Sequence, residues 1–153
     1  KQFKDYMFRT ERSKFLMEQG IPLNMDSTLK GQTVFLAERC AELIQTDIIT
    51  DRTVIDVMAF TMNAKSIPYQ DKEAFETYAS EFIREYDYIF YISPHGIPIE
   101  DNGVRETNTY YRDLIDFTIT TLIKRYGHRC PKIEEISGST EERIQQILNI
   151  TGL

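Results

Sequence analysis

Cysteine is scarce in this chain: Cys40 and Cys130 are the only two among 153 residues. Two thiols so far apart build no disulfide framework, and neither has a partner at metal-ligand spacing. Reduced thiols in a cytoplasmic protein are the expectation. Long apolar runs are lacking as well, so no segment reaches the length that spans a bilayer, and the opening residues do not read as a secretory leader. Repeats and low-complexity tracts are absent. So is any excess of basic residues: 24 acidic against 18 basic side chains give a net charge of −6. That balance argues against non-specific binding to nucleic acid or membranes. Histidine is limited to His95 and His128. Neither has a metal-spaced partner or a nearby nucleophilic Ser or Cys, which disfavours zinc and triad chemistry.

What is present fits one globular domain. The length is enough to bury a core without staples, and the apolar and charged fractions are ordinary. Tyr6-Met7-Phe8 predicts a short strand, and Arg9–Gln19 a helix whose apolar contribution is Phe15 and Leu16, stopped at Gly20. Asp26 or Ser27 opens a long helix to about Gln45, with Val34, Leu36, Ala37, Cys40, Leu43 and Ile44 at helical spacing. A second strand at Ile48-Ile49 leads into a helix ending near Pro68. Asp71–Glu85 is another amphipathic helix, carrying Phe75, Tyr78, Ala79, Phe82 and Ile83 inward. Asp87–Ser93 is the clearest strand, and its aromatics, with Tyr86, read as packing rather than a stacking platform for bases. The polar segment 97–109 is too long for a simple turn and is a candidate lid. Tyr110–Tyr126 is a long helix, Lys132–Ile136 a short strand, and Ser139 with Glu142 has the spacing of a capping box on a last helix.

Strands separated by helices imply an α/β fold with right-handed crossovers and a parallel sheet. The strands are few for so large a helical complement. An interior strand is missing from the pattern, and its natural place is upstream of Lys1.

The stretch Asp47–Asp56, DIITDRTVID, organises the rest. Ile48 and Ile49 read as a buried strand, and a helical pattern begins directly after Asp51-Arg52-Thr53. In open α/β sheets, ligands bind beyond the carboxyl ends of the strands. An Asp there can hold a hydrated Mg²⁺, and an adjacent Arg can fork onto a phosphate. The competing reading is that Asp51 or Thr53 caps the helix and Arg52 is a surface charge.

With DRTVID, the strand DYIFYIS, the loop EDNGVRE and the terminal ISGSTEER in that order, the chain from Phe8 to Leu148 resembles a known family. It is similar to the AAA-type P-loop ATPase domain of nicotinamide riboside kinases of the NadR kind. The resemblance implies a P-loop NTPase-type three-layer α/β sandwich that binds ATP, or GTP, with Mg²⁺. The family's G-x-x-x-x-G-K-[ST] loop occurs nowhere in this sequence: Gly31, Gly96, Gly103 and Gly138 are not followed by Lys-Ser or Lys-Thr. The expectation is that the loop lies upstream, because the missing strand and the missing loop belong to the same piece of sequence. A degenerate relative is the alternative.

The resemblance implies roles residue by residue. Asp51 stands where a Walker B-like acid holds Mg²⁺ or accepts a proton, and Arg52 steadies a phosphate. Asp56, one turn on, orients Arg52 or meets a ribose hydroxyl, or else forms a structural helix pair with Arg52. Arg105 on the candidate lid stabilises the transferred group, with Arg112 assisting, while Asp101 and Glu106 hold the lid in shape. Glu11 and Arg12 sit near a substrate-facing carboxylate of related kinases, and Glu11 is the alternative base to Asp51, or a favourable charge at a helix start. Gly138 and Ser139 follow the last strand, where such kinases pass backbone across the purine. The expected activity is an ATP-dependent, Mg²⁺-requiring phosphotransferase acting on a nucleoside, nucleotide or similar small hydroxyl compound. The expected setting is a bacterial or phage-infected cell, with a homo-oligomer or larger assembly open. A non-catalytic nucleotide-binding regulatory module is the competing expectation, and a purely structural partner of an assembly a third.

Overall fold

The computed structural model describes residues 3–99 and 108–153. The lid residues Asp101, Asn102, Gly103, Arg105 and Glu106 therefore lie outside the described residues. The domain is α/β, and its described elements run β1 (Met7–Arg9), α1 (Ser13–Glu18), α2 (Leu29–Leu43), β2 (Ile48–Thr50), α3 (Val54–Met62), α4 (Tyr69–Ser80), β3 (Ile89–Tyr91), α5 (Thr109–Tyr126), β4 (Ile133–Glu135) and α6 (Thr140–Thr151). Short 3-10 turns at Asn24–Asp26, Glu81–Glu85 and Gly127–Arg129 join them.

The strands form two separate parallel pairs. β1 lies beside β2 with Phe8 opposite Ile49, and β3 lies beside β4 with Phe90 opposite Glu134. Each pair is bridged by a helix-containing crossover, as parallel neighbours require. Where the pattern calls for one continuous sheet, the described residues show two halves.

Helix α3 is the centre of the fold. Val54, Ile55, Val57, Met58 and Ala59 are all buried, so this helix is apolar around most of its circumference. It packs against α2, α4 and α5. Thr53 and Asp56 fix its start with a capping box: the Asp56 Oδ2 accepts from the Thr53 N–H at 2.7 Å, and the Thr53 Oγ1 accepts from the Ile55 N–H at 3.1 Å. One orphan donor of that first turn, the Val54 N–H, is taken by the hydroxyl of buried Tyr86 at 3.1 Å. Burial holds the Tyr86 hydroxyl protonated far into the alkaline range.

Several predicted faces turn differently. On α1, Leu16 is buried but Phe15 is exposed, with the Arg12 guanidinium 4.4 Å from its ring centre. On α4, Tyr78 is exposed and stacks edge-on to Phe82. The helix ends at Ser80, where a 3-10 turn carries on to Glu85. On α2, Ala37 faces outward, as does Ile44 just past its end, and the buried stripe includes Gln32, Leu36, Arg39 and Glu42. Apolar spacing alone cannot find a stripe that is largely polar. The strand residues Ile48 and Ile49 are half-buried, since the side of β2 away from β1 opens onto a cavity.

Candidate functional site

That cavity has a volume of about 1280 Å³ and is lined by β2 and β3, one strand of each pair, and by residues of α2, α3 and α5. It collects Glu11, Asp51, Arg52, Asp56 and Arg112 from the sequence-predicted set. Arg12, Gly138 and Ser139 do not line it. Arg105 lies outside the described residues.

Asp51 follows the last residue of β2, and the ladder holds it there: its N–H donates to the Arg9 carbonyl at 2.9 Å. Its own carbonyl accepts from Arg39 Nη1 at 3.2 Å. The carboxylate is exposed, and among the described residues no hydrogen bond or ion pair occupies it. Arg52 has φ +86°, a left-handed conformation that side-chain-bearing residues seldom adopt. The Thr50 hydroxyl, donating to the Arg52 carbonyl at 3.0 Å, closes this turn, and the guanidinium sits 5.3 Å from the Phe60 ring centre. The bend turns the chain from strand to helix in three residues, placing Asp51 at the strand end and Thr53 at the cap. The capping alternative thus falls to Thr53, and the Asp51 carboxylate is left open to the cavity.

The other residues have definite structural partners. Asp56 gives Oδ2 to the capping box, and among the described residues no ion pair joins it to Arg52. Glu11 accepts from the N–H and hydroxyl of Ser13 at the start of α1, a position favoured for a carboxylate. Arg12 pairs with Glu38 at 3.2 Å on the surface. Arg112 donates through Nη1 to the Ile97 carbonyl at 2.9 Å, which ties α5 to the segment leaving β3. Gly138 has φ +94°, and a Cβ there would fall 2.2 Å from Glu142 Oε2, so only glycine fits. Ser139 accepts from the Glu142 N–H at 3.2 Å and its own N–H donates to Glu142 Oε2 at 2.7 Å, the capping box expected from the spacing.

Two groups of the cavity wall escape a search for motifs. Arg39 and Glu42, one turn apart on α2, form an ion pair at 2.8 Å and are nearly inaccessible to solvent. Burial pushes the Glu42 carboxyl above its ordinary pKa while the Arg39 charge pulls it back. Among the described residues Arg39 Nε and Glu42 Oε2 keep no hydrogen-bond partner, nor does the Oγ of fully buried Ser27 on the same cavity wall. Asp116, on α5, accepts from the Tyr91 hydroxyl at 2.5 Å and lies 3.8 Å from His95 Nε2. Burial, with that bond to Asp116, raises the Tyr91 pKa to about 12. The signal for Asp116 was a charged residue between Ile115 and Ile119. For Arg39 and Glu42 there was none, since a charged pair at that spacing is normally solvated.

Among the described residues no cluster of three or more His, Cys, Asp and Glu side chains is arranged to hold a metal. The open carboxylate of Asp51 could supply one ligand to a hydrated Mg²⁺, an ion that keeps most of its waters. A triphosphate is served less well, because no glycine-rich loop of this chain supplies backbone donors. No protein-family model matches the chain, and comparison with curated proteins and with solved structures likewise produces no match. The class defined by the coordinates is thus an α/β domain of two parallel strand pairs around an open cavity. No described helix is long and apolar enough to cross a membrane.

Proposed function

We propose that the domain is the substrate- and metal-binding part of an ATP-dependent phosphotransferase acting on a nucleoside, nucleotide or similar small hydroxyl compound. One observation carries the reading: the unpaired carboxylate of Asp51 stands at the carboxyl end of a parallel strand, open to a large cavity. In this reading Asp51 orients a hydrated Mg²⁺ or accepts the proton of the attacking hydroxyl, and Arg52 and Arg105 neutralise charge on the moving phosphate. Phosphoryl transfer is mostly positioning and charge neutralisation, so a metal carboxylate and cationic side chains are the parts it requires. Glu11, Asp56, Gly138 and Ser139 serve as caps, and Arg112 as a tether for the segment after β3. The similarity of DRTVID, EDNGVRE and ISGSTEER to kinases of the NadR kind adds support.

The reading needs a G-x-x-x-x-G-K-[ST] loop from outside these residues. The test is transfer of labelled γ-phosphate from ATP, with Mg²⁺, to nucleosides, nucleotides and nicotinamide riboside by a polypeptide carrying that loop. Asp51→Asn abolishes turnover with the fold intact; turnover at the native rate would remove Asp51 from the mechanism. Mg²⁺-dependent ATP binding without transfer to any acceptor would favour the regulatory binding module instead.

A further inference from the structure

Three of the described arginines line the cavity: Arg39, Arg52 and Arg112. Two of them are committed to the fold. Arg39 donates to the Asp51 carbonyl and to Glu42, and Arg112 donates to the Ile97 carbonyl. The guanidinium of Arg52 makes no hydrogen bond or ion pair among the described residues, not even with the neighbouring carboxylate of Asp51. Its backbone is nonetheless fixed on both sides, by the Thr50 hydroxyl on its own carbonyl and by the Thr53–Asp56 cap directly after it. The partner of its side chain is the ring of Phe60 on α3, with the guanidinium carbon 5.3 Å from the ring centre. Phe60 is half-buried, and its ring stands 6.4 Å from that of Tyr111, a buried residue of α5.

A carboxylate in place of that ring would cancel the charge of Arg52 and take up its N–H donors. An aromatic face attracts the cation through its quadrupole and accepts none of the N–H bonds directed in the guanidinium plane. Asp56, on the same helix, does not compete, because its carboxylate is bound to the cap. We propose that Phe60 is a positioning residue: it holds the Arg52 guanidinium at the cavity wall with its donor fork open to the oxygens of a phosphate group. The inference rests on the reading of Arg52 as a phosphate contact, and Phe60 acts through Arg52 without touching the substrate. A long side chain that is already held loses less rotamer freedom when an anion arrives, so the apolar contact strengthens a purely polar one. Tyr111 stands beside the ring from α5, so the placement of the cation depends on the packing of α3 against α5.

The experiment uses the whole 153-residue chain with no nucleotide present, so its result is independent of phosphotransfer, and the probe is inorganic pyrophosphate. Phe60 is replaced by mono-, di- and trifluorinated phenylalanine, which keep the shape of the ring and progressively weaken its negative face. NMR of the Arg52 side-chain Nε–H reads two quantities, its mobility in the free chain and its affinity for pyrophosphate. Each added fluorine raises the mobility, and the trifluorinated ring weakens pyrophosphate binding by about three- to tenfold. Phe60→Leu weakens it at least as much, Phe60→Tyr retains the native affinity, and the Tm of the fluorinated proteins stays at the parent value because packing volume is kept. In an Arg52→Gln background fluorination changes nothing further. Unchanged Arg52 mobility across the series would overturn the positioning role, whatever the anion does. Equal weakening by fluorine in the Arg52→Gln background would overturn it too. Pyrophosphate that leaves the Arg52 resonance unmoved, while mobility still follows the fluorine count, would instead remove the phosphate reading of Arg52 and the proposal with it.

Discussion

Replacing Arg39 by methionine tests whether the buried pair on α2 is a support or a burden. The change keeps most of the side-chain volume and removes the charge. Glu42 is then a buried carboxylate without its cation, and the Asp51 carbonyl loses its donor. Stranding one member of a buried pair costs about 3–5 kcal/mol, which for a chain of this size lowers the Tm by roughly 6–20 °C. Replacing both residues, Arg39→Met with Glu42→Leu, removes the stranded charge and returns stability to within about 2 kcal/mol of the parent. Urea unfolding followed by circular dichroism reads both, with the midpoint moving and the slope constant if only stability changes. The pH dependence has a definite sign. Glu42 has a raised pKa in the folded state, so between its unfolded and folded values the native chain binds more protons. Its penalty is fully present above the folded pKa and is relieved as pH falls through that value toward the unfolded one. Arg39→Met raises that pKa further and steepens the gain on acidification. A single variant as stable as the parent, or a double variant worse than the single, would refute the reasoning.

Other predictions follow from the same geometry. Tyr91, with a folded pKa of about 12, destabilises the native state progressively as pH rises above the unfolded value of about 10, because the unfolded chain ionises first. Tyr91→Phe removes that alkaline component, and absorbance titration at the phenolate band with and without the substitution measures it. Asp56→Ala loses the capping box and costs about 0.5–2 kcal/mol by chemical denaturation; an unchanged midpoint would free Asp56 for another role. Met58→Ala, at the fully buried centre of α3, costs about 2–5 kcal/mol. In the loop-bearing polypeptide, Arg105→Ala reduces kcat more than nucleotide affinity, and equal kcat would exclude it from the transition state.

Much of the fold was legible in the chain because it is written in local chemistry. The strand and helix order, the crossover of parallel strands, and the cap at Ser139 and Glu142 follow from periodicity and capping residues. Helix boundaries and inward faces were less legible. Phe15, Tyr78 and Ile44 are exposed although their spacing suits burial, because which face of a helix is covered depends on the elements that pack against it.

Local sequence also determined that Asp51 directly follows a strand and that a helix starts three residues after it. Only the tertiary structure decided which carboxylates stay open. Asp56 and Glu11 carry the same charge as Asp51, yet each is bound to a helix start, and Asp51 alone of the three faces the cavity without a partner. The buried Arg39–Glu42 pair and the Tyr91–Asp116 contact were equally beyond reach of the sequence. Their partners or burial come from packing between segments distant along the chain, and desolvation is a property of the folded surroundings rather than of the residue.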